Sequence, residues 1–455
     1  MLTVDLDLIR KYDRPVPRYT SYPTAAGFRH CAEPSALLAH VDEANRTAAL
    51  PLSLYFHLPF CASLCWFCGC TTVIGPPAGA AARYLDYLEK EIKLMAPRVR
   101  ADRRVVQVHL GGGTPTFLTA AELTRLAGMI RGHFNVAPDA ELSVEIDPRR
   151  LVPGQVDALR AAGFTRASLG VQDFDPRVQL AIHRVQPRAQ TEQAIAWLRA
   201  AGFNSINVDL IYGLPLQTAE SFARTLEQVQ ELAADRLAIF SYAHVPWMKP
   251  AQRILERRQL PAPEVKLGMF KRAVETLTAG GYHYIGLDHF ARPDEELSRA
   301  QAAGTLQRNF QGYSTRAGAE VMGFGMSSIA QTPASYRQNH KELERYYAAL
   351  DAGVVPVARG LELTDEDQRR REIIMRLMCR LRLDFAELSR DLACDFPSIY
   401  ATQLARLGPL AVDGLVRFTR EGVEVTDPGR LFLRNLAVCF DAYHAADSLR
   451  HARAV

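Results

Sequence analysis

The sequence predicts an α/β protein. Its main body is a partial (β/α)6-type, TIM-like barrel, with an N-terminal arm and a small C-terminal α+β, winged-helix-like domain. Three observations carry this. Strand-like runs alternate with amphipathic helical stripes from residue 52 to about 288, which demands a parallel sheet. The glycine-rich and polar clusters fall where those strands end, as functional residues do in barrels. After about residue 360 the pattern changes to helices followed by one hairpin. The expected divisions are 1–47 (arm and lead-in helix), 48–350 (barrel, with an accessory segment 289–340) and 351–455 (C-terminal domain).

Size and composition fit this plan. The chain has 455 residues, 48% of them hydrophobic and 23% charged, enough for a barrel and one smaller unit. No apolar run approaches the roughly 18 residues of a membrane span. Nothing at the N-terminus reads as a charged-then-apolar leader. A cytoplasmic protein is expected. The net charge of +4 is too mild to argue for nucleic acid. Of eight cysteines, four fall within Cys61–Cys70; Cys31, Cys379, Cys394 and Cys439 are scattered, as buried small apolar residues are. Free thiols fit a reducing compartment.

In chain order, Pro15, Pro17, Pro23 and Pro34 make residues 1–36 irregular. Within them, Arg18-Tyr19-Thr20-Ser21-Tyr22 is a dense aromatic and hydroxyl cluster. Residues 35–48 read as a helix. Strand-like runs follow at 52–58, 105–110, 141–147, 166–172, 205–212, 236–245 and 282–288. Helical stripes occupy 81–95, 119–133, 153–161, 190–201, 218–233 and 264–279; in the first, Tyr84, Leu85, Leu88, Ile92 and Met95 share one face. Pattern alone permits an open doubly wound sheet; the motifs at strand ends decide for a barrel. Residues 289–340 read as mostly irregular and 341–351 as helical. Helices at 364–379, 384–391 and 396–407, a hairpin through Glu421-Gly422 and a final helix after Pro428-Gly429 complete the chain.

The chemistry starts where the first strand ends. Cys61, Cys65 and Cys68 are spaced by three residues and then two. Three thiolates so close can hold three irons of a cubane iron–sulfur cluster and leave the fourth open. Structural zinc uses two separated ligand pairs, and no second pair is near. Cys70 reads as close to the cluster and unligated. Gly111-Gly112-Gly113-Thr114 follows the second strand; it is either a structural turn or a backbone cradle for a polar ligand group. Glu145, flanked by Val144 and Ile146, needs a partner, internal or from a ligand. Gln172, Arg184 and Asp209 are each ordinary barrel polarity alone; on one rim they make a polar pocket.

The Cys-x3-Cys-x2-Cys spacing after a first barrel strand resembles the radical S-adenosylmethionine enzymes. Cys68-Gly69-Cys70, with Tyr55 and His57 upstream and the Arg18–Thr24 arm, narrows the resemblance to the oxygen-independent coproporphyrinogen III oxidases (coproporphyrinogen dehydrogenases) of haem and porphyrin biosynthesis. It extends from about residue 14 to the C-terminal domain. It implies a [4Fe-4S] cluster on Cys61, Cys65 and Cys68 and two S-adenosyl-L-methionine molecules. Tyr55, Gly112, Glu145 and Ile329 match positions for the cluster-bound one. Phe67, Gly113, Thr114, Gln172, Arg184, Asp209 and Ala243 match positions for the second. Tyr55 and His57 carry over as catalytic. The segment Pro246-Trp247-Met248 departs from the family pattern.

The implied reaction is the anaerobic oxidative decarboxylation of two propionates of coproporphyrinogen III to vinyl groups, giving protoporphyrinogen IX. A 5′-deoxyadenosyl radical would take a hydrogen atom that no side-chain base can remove as a proton. A flavodoxin- or ferredoxin-like one-electron donor and an electron acceptor are implied, with a monomer, no nucleic acid and no membrane span. Arg18 and Arg292 are candidate clamps for unreacted propionates. The alternative is a related radical enzyme acting as a haem chaperone without oxidase activity. Arg420-Glu421-Gly422 in the hairpin gives no concentrated positive patch for DNA, so the C-terminal domain reads as a lid.

Overall fold

The computed structural model describes residues 2–31, 33–47 and 50–444. Residue 48 of the expected lead-in helix and residues 445–455 of the C-terminal domain lie outside the described residues. Six strands run parallel and adjacent in sequence order: β1 (Leu52–Leu58), β2 (Arg104–Gly112), β3 (Asn135–Ile146), β4 (Arg166–Gln172), β5 (Ser205–Tyr212) and β6 (Arg236–Ser241). The connecting helices are α1 (Ala80–Met95), α2 (Ala120–His133), α3 (Pro153–Ala161), α4 (Arg188–Ala200) and α5 (Ala219–Glu231), with α6 (Pro263–Ala279) after β6. Each helix has a sequence reason. In α1 the stripe Tyr84, Leu85, Leu88, Ile92 and Met95 is buried. A reciprocal capping box of Thr119 and Glu122 starts α2. β1 is buried on both faces apart from Tyr55, as a parallel strand covered on two sides should be.

The sheet wraps around a cavity of about 210 Å³ whose wall takes His109 from β2, Glu145 from β3, Ser168 from β4, Asp209 from β5 and Phe240 from β6. Five consecutive strands facing one space is the geometry of a partial barrel.

The accessory segment departs from expectation. Residues 283–291 do not supply a seventh parallel strand. His283–Gly286 and His289–Ala291 form an antiparallel hairpin on β6, turned by Leu287 and Asp288 at φ 44° and 74°. A turn this tight reverses the chain, whereas a parallel neighbour needs a long crossover. The parallel neighbour on the other side of β1 is β7 (Glu320–Phe324), which lies in the stretch expected to be irregular. Ile329–Gln331, Ser335–Asn339 and Val357–Glu362 continue the sheet antiparallel beyond it. A hairpin of Gln307–Asn309 and Gly312–Ser314 lies apart from the main sheet.

Because Val357–Glu362 is a strand of the main sheet, the C-terminal unit begins after Glu362 and not at 351. It contains a helix, Asp365–Arg380, shorter helices to Val412 and a three-stranded sheet of Arg382–Asp384, Gly422–Val425 and Val416–Phe418. Its Ile373, Leu377, Phe432 and Leu436 share one apolar core with Leu237 of β6 and with Ile9 and Tyr12 of the arm. The arm itself carries a helix, Leu6–Tyr12, capped by Asp5, in a region expected to be irregular. Among the described residues no helix is long and apolar enough to cross a membrane.

Candidate active site at the strand ends

The cysteine loop hangs between two anchors. Phe60–Cys61 pairs with Val73–Ile74 and closes the loop at its base. At its tip, Trp66 donates its N–H to the Ile182 carbonyl at 3.0 Å and stacks on His183, ring centroids 5.0 Å apart. Cys61, Cys65, Cys68 and Cys70 all line a cavity of about 380 Å³ above the ends of β2–β5. Cys65 is buried and Cys70 exposed. The Cys70 amide donates to Cys68 Sγ at 3.4 Å. Hydrogen bonding with Cys70 draws the Cys68 thiol down to about 6, with Lys249 and Arg184 adding; burial pushes Cys61 up to about 11. Among the described residues no three His, Cys, Asp or Glu side chains converge as ligands of one ion would. Cluster thiolates each bind a different iron and so stand further apart. Three thiols on one wall of a roomy cavity fit a [4Fe-4S] group.

Two guanidinium groups face Cys65. Arg149 Nη2 and Arg184 Nη1 each lie 3.6 Å from its sulfur. Both are held by Asp147, through Arg149 Nη2 at 2.6 Å and Arg184 Nη2 at 3.3 Å. Burial works against ionisation of Asp147, but Arg149 and Arg184 keep its carboxyl below the usual range. Arg184 also donates to the Gly170 carbonyl at 2.6 Å, and its buried Nε has no acceptor among the described residues. Asp147 and Arg149 were not singled out in the sequence. Their position just beyond the end of β3, two and four residues after Glu145, was the available signal.

The glycine loop is tied to the cysteine loop by its backbone. Gly113 donates to the Leu58 carbonyl at 2.9 Å and Thr114 to the Phe60 carbonyl at 3.0 Å. Gly112 sits at φ 120°, and a Cβ there would stand 2.8 Å from the His57 ring. Its amide donates to Glu145 Oε2 at 3.0 Å, while Oε1 faces His109 Nε2 at 3.4 Å. Burial opposes ionisation of Glu145, but His109 and the Gly112 amide hold its carboxyl below the ordinary value. Its side chain is 44% exposed, open to the cavity it lines.

Asp209 accepts from Asn207 Nδ2 at 2.7 Å and Ser168 Oγ at 3.0 Å. Burial, with the Glu145 charge adding, pushes its carboxyl up to about 6. Gln172 stands at a register shift between β4 and β5 with φ 73°, a backbone state uncommon for non-glycine residues. The structure therefore brings Phe67, Gly112, Gly113, Thr114, Glu145, Gln172, Arg184 and Asp209 to one cavity with the cysteines.

Four expected residues stand outside that wall. His57 is buried behind Gly112, with Nδ1 3.1 Å from the Tyr55 hydroxyl and Nε2 2.9 Å from the Thr71 carbonyl. Both its nitrogens are engaged, which suits a positioning role better than contact with reactants. Tyr55 stacks on His109, ring centroids 5.8 Å apart. Ala243 is exposed just past β6, and Ile329 packs toward the Phe28 and Tyr336 cluster at the sheet edge. Both clamp candidates already have partners, Arg18 beside the cavity wall and Arg292 away from it. Arg18 forms an ion pair with Asp288 and lies over the Phe240 ring; Arg292 donates to the Ala234 carbonyl at 3.2 Å at the opposite end of β6.

Comparison with known proteins places this geometry. Residues 55–229 match the Radical SAM superfamily and residues 363–432 the HemN C-terminal domain. The chain is 47% identical over 439 residues to the oxygen-independent coproporphyrinogen III oxidase of Salmonella typhimurium, covering 96% of this chain and 95% of that one. It is 46% identical to the Escherichia coli enzyme of the same name, with the same coverage. A solved structure of coproporphyrinogen III oxidase (HemN) from Escherichia coli, described as a radical SAM enzyme, superposes with a TM-score of 0.92 at 44% identity over 97% of this chain and 100% of that one.

Proposed function

This chain belongs to the oxygen-independent coproporphyrinogen III oxidases, and from that membership we propose how its own residues divide the work of converting coproporphyrinogen III to protoporphyrinogen IX. The observation that carries the proposal is the single cavity shared by Cys61, Cys65, Cys68, the Gly112 loop and Glu145.

The reduced cluster and S-adenosylmethionine supply, when bound, a 5′-deoxyadenosyl radical able to abstract an unactivated hydrogen atom. Cys61, Cys65 and Cys68 would hold three irons and leave the fourth for the cofactor. Arg149 and Arg184 donate toward the Cys65 sulfur and offset the negative charge collected there. Glu145, fixed by the Gly112 amide and His109, presents an ionised carboxylate suited to an amino or ribose group. Tyr55 and His57 support the loop from behind. Gln172, Arg184 and Asp209, with Phe67, Gly113, Thr114 and Ala243, are assigned to a second cofactor molecule beside the first. Each propionate loses CO₂, one hydrogen atom and one electron. A one-electron donor of the flavodoxin or ferredoxin kind and a separate acceptor complete the balance, and the chain works as a monomer.

The test is anaerobic. Reconstituted, reduced protein with S-adenosylmethionine and coproporphyrinogen III should yield both 5′-deoxyadenosine and protoporphyrinogen IX. Deoxyadenosine alone would move the assignment to the chaperone branch. Neither product from protein with an intact cluster would overturn the proposal.

A further inference from the structure

A third cavity, of about 220 Å³, lies away from the cysteines. It is walled by Tyr22 of the arm, Tyr336 of the sheet edge, Arg308 of the 307–314 hairpin, Glu320 at the start of β7 and Arg371 of the C-terminal helix. Its chemistry is out of balance. Arg308 is 7% exposed, yet its Nε and Nη1 have no hydrogen-bond acceptor among the described residues. Its contact is with the face of Tyr313, 4.8 Å from the ring centroid. Among the described residues no carboxylate lies within ion-pair distance of it. Buried guanidinium groups are normally paired, because an uncompensated charge is expensive to desolvate. Arg371 adds one more unpaired N–H group: Nη2 donates to the Pro333 carbonyl at 2.6 Å, while the buried Nη1 has no partner among the described residues.

The two acids in the wall do not neutralise these cations. Glu372 accepts from Arg376 at 2.7 Å. Glu320 accepts from Arg103 at Oε2, 3.0 Å, and its Oε1 has no partner among the described residues. Burial pushes its carboxyl up, against the pull of Arg103.

We propose that this cavity is a carboxylate-binding site in which Arg308 and Arg371 hold a propionate of the substrate that does not react. A guanidinium edge matches a carboxylate bidentately, two guanidinium groups line this cavity, and a substrate with four propionates leaves two to be anchored. The hairpin connects the site to the reaction chamber: Tyr313, the cross-strand partner of Arg308, lines the central barrel cavity with Glu145 and Asp209. The identity of the carboxylate rests on the function proposed above; the anion site does not.

Arg308→Met separates a binding role from a structural one. Removing an unpaired buried charge should leave the melting temperature of the ligand-free protein unchanged or raised. Binding of coproporphyrin III, followed by its fluorescence, should weaken about 10- to 100-fold, and KM for coproporphyrinogen III should rise in step. Substrate-free formation of 5′-deoxyadenosine should not change. Arg371→Gln should weaken binding in the same direction, and Arg308→Lys should recover part of it. Unchanged affinity and KM in both Arg308→Met and Arg371→Gln, or a fall in melting temperature with binding intact, would overturn the site. Should the wild-type protein neither bind coproporphyrin III nor form protoporphyrinogen, the functional reading fails instead, and potassium sulfate becomes the probe. A sulfate-induced thermal shift in the wild type that Arg308→Met abolishes supports the anion site; no shift in the wild type overturns it.

Discussion

The imidazole of His57 occupies the space that a side chain at Gly112 would need: a Cβ built on Gly112 falls 2.8 Å from its ring atoms. One strand end thereby fixes the next. His57 at the end of β1 sets how far the Gly112 amide reaches toward Glu145 on β3. The Gly112 backbone is also at φ 120°, open to glycine and strained for anything else.

Gly112→Ala should therefore destabilise the protein by about 1–3 kcal/mol and abolish turnover. Adding His57→Ala removes the clash and leaves the backbone strain. The double variant should recover part of the melting temperature lost by Gly112→Ala. No recovery would show that the ring contact is unimportant and that φ alone decides.

The four neighbouring cysteines should behave unequally. Cys61→Ser, Cys65→Ser or Cys68→Ser should each abolish cluster assembly, measured as iron and sulfide per chain after anaerobic reconstitution. Cys70→Ser should retain full iron, because Cys70 is the exposed member and only one residue separates it from Cys68. Loss of iron in that variant would replace the ligand set.

Asp209 gives a pH signature. Its carboxyl is pushed up to about 6 by burial, with Glu145 adding. The fold thus favours the protonated form; that stability is present at acid pH and is lost as pH rises through about 6. Binding of a cofactor donor group requires the opposite, ionised form. S-adenosylmethionine affinity attributable to Asp209 should hold above pH 7 and fall about tenfold by pH 5. In Asp209→Asn the affinity should be weaker and flat across that range, and the ligand-free protein should melt higher at neutral pH. A wild-type profile as flat as the variant's would remove Asp209 from the binding site.

Much of this was legible in the chain because it is local. The α1 stripe, the glycine run and the cysteine spacing announce themselves within a few residues, and each lies where it was expected. What escaped depends on distant partners. Glu320–Phe324 is a five-residue strand whose parallel neighbour β1 lies more than 250 residues earlier, so no periodicity marks it. Val357–Glu362 looks like the start of the last domain until its pairing with Ser335–Asn339 is seen. The site had the same blind spot. Glu145 was conspicuous as a carboxylate between apolar residues, but Asp147 reads only as the last residue of the 141–147 strand run, and Arg149 carries no signal of its own. Only the return of Arg184 from beyond β4 shows that it faces Cys65.

That arrangement carries the last prediction. Arg149 and Arg184 both direct N–H groups at the Cys65 sulfur, and both are held by the single carboxylate of Asp147. The trio has one net positive charge beside the proposed cluster. A positive charge and sulfur hydrogen bonds favour the reduced, more negative state of an iron–sulfur group. Arg149→Gln removes that net charge, and Arg184 still satisfies Asp147, so the fold should persist. The midpoint potential, from a potentiometric titration followed by electron paramagnetic resonance, should move to more negative values while iron content stays at the wild-type level. Turnover with a fixed reductant should slow accordingly, and a stronger reductant should restore it. An unshifted potential would mean that Arg149 serves the fold of the β3 turn and not the charge at Cys65.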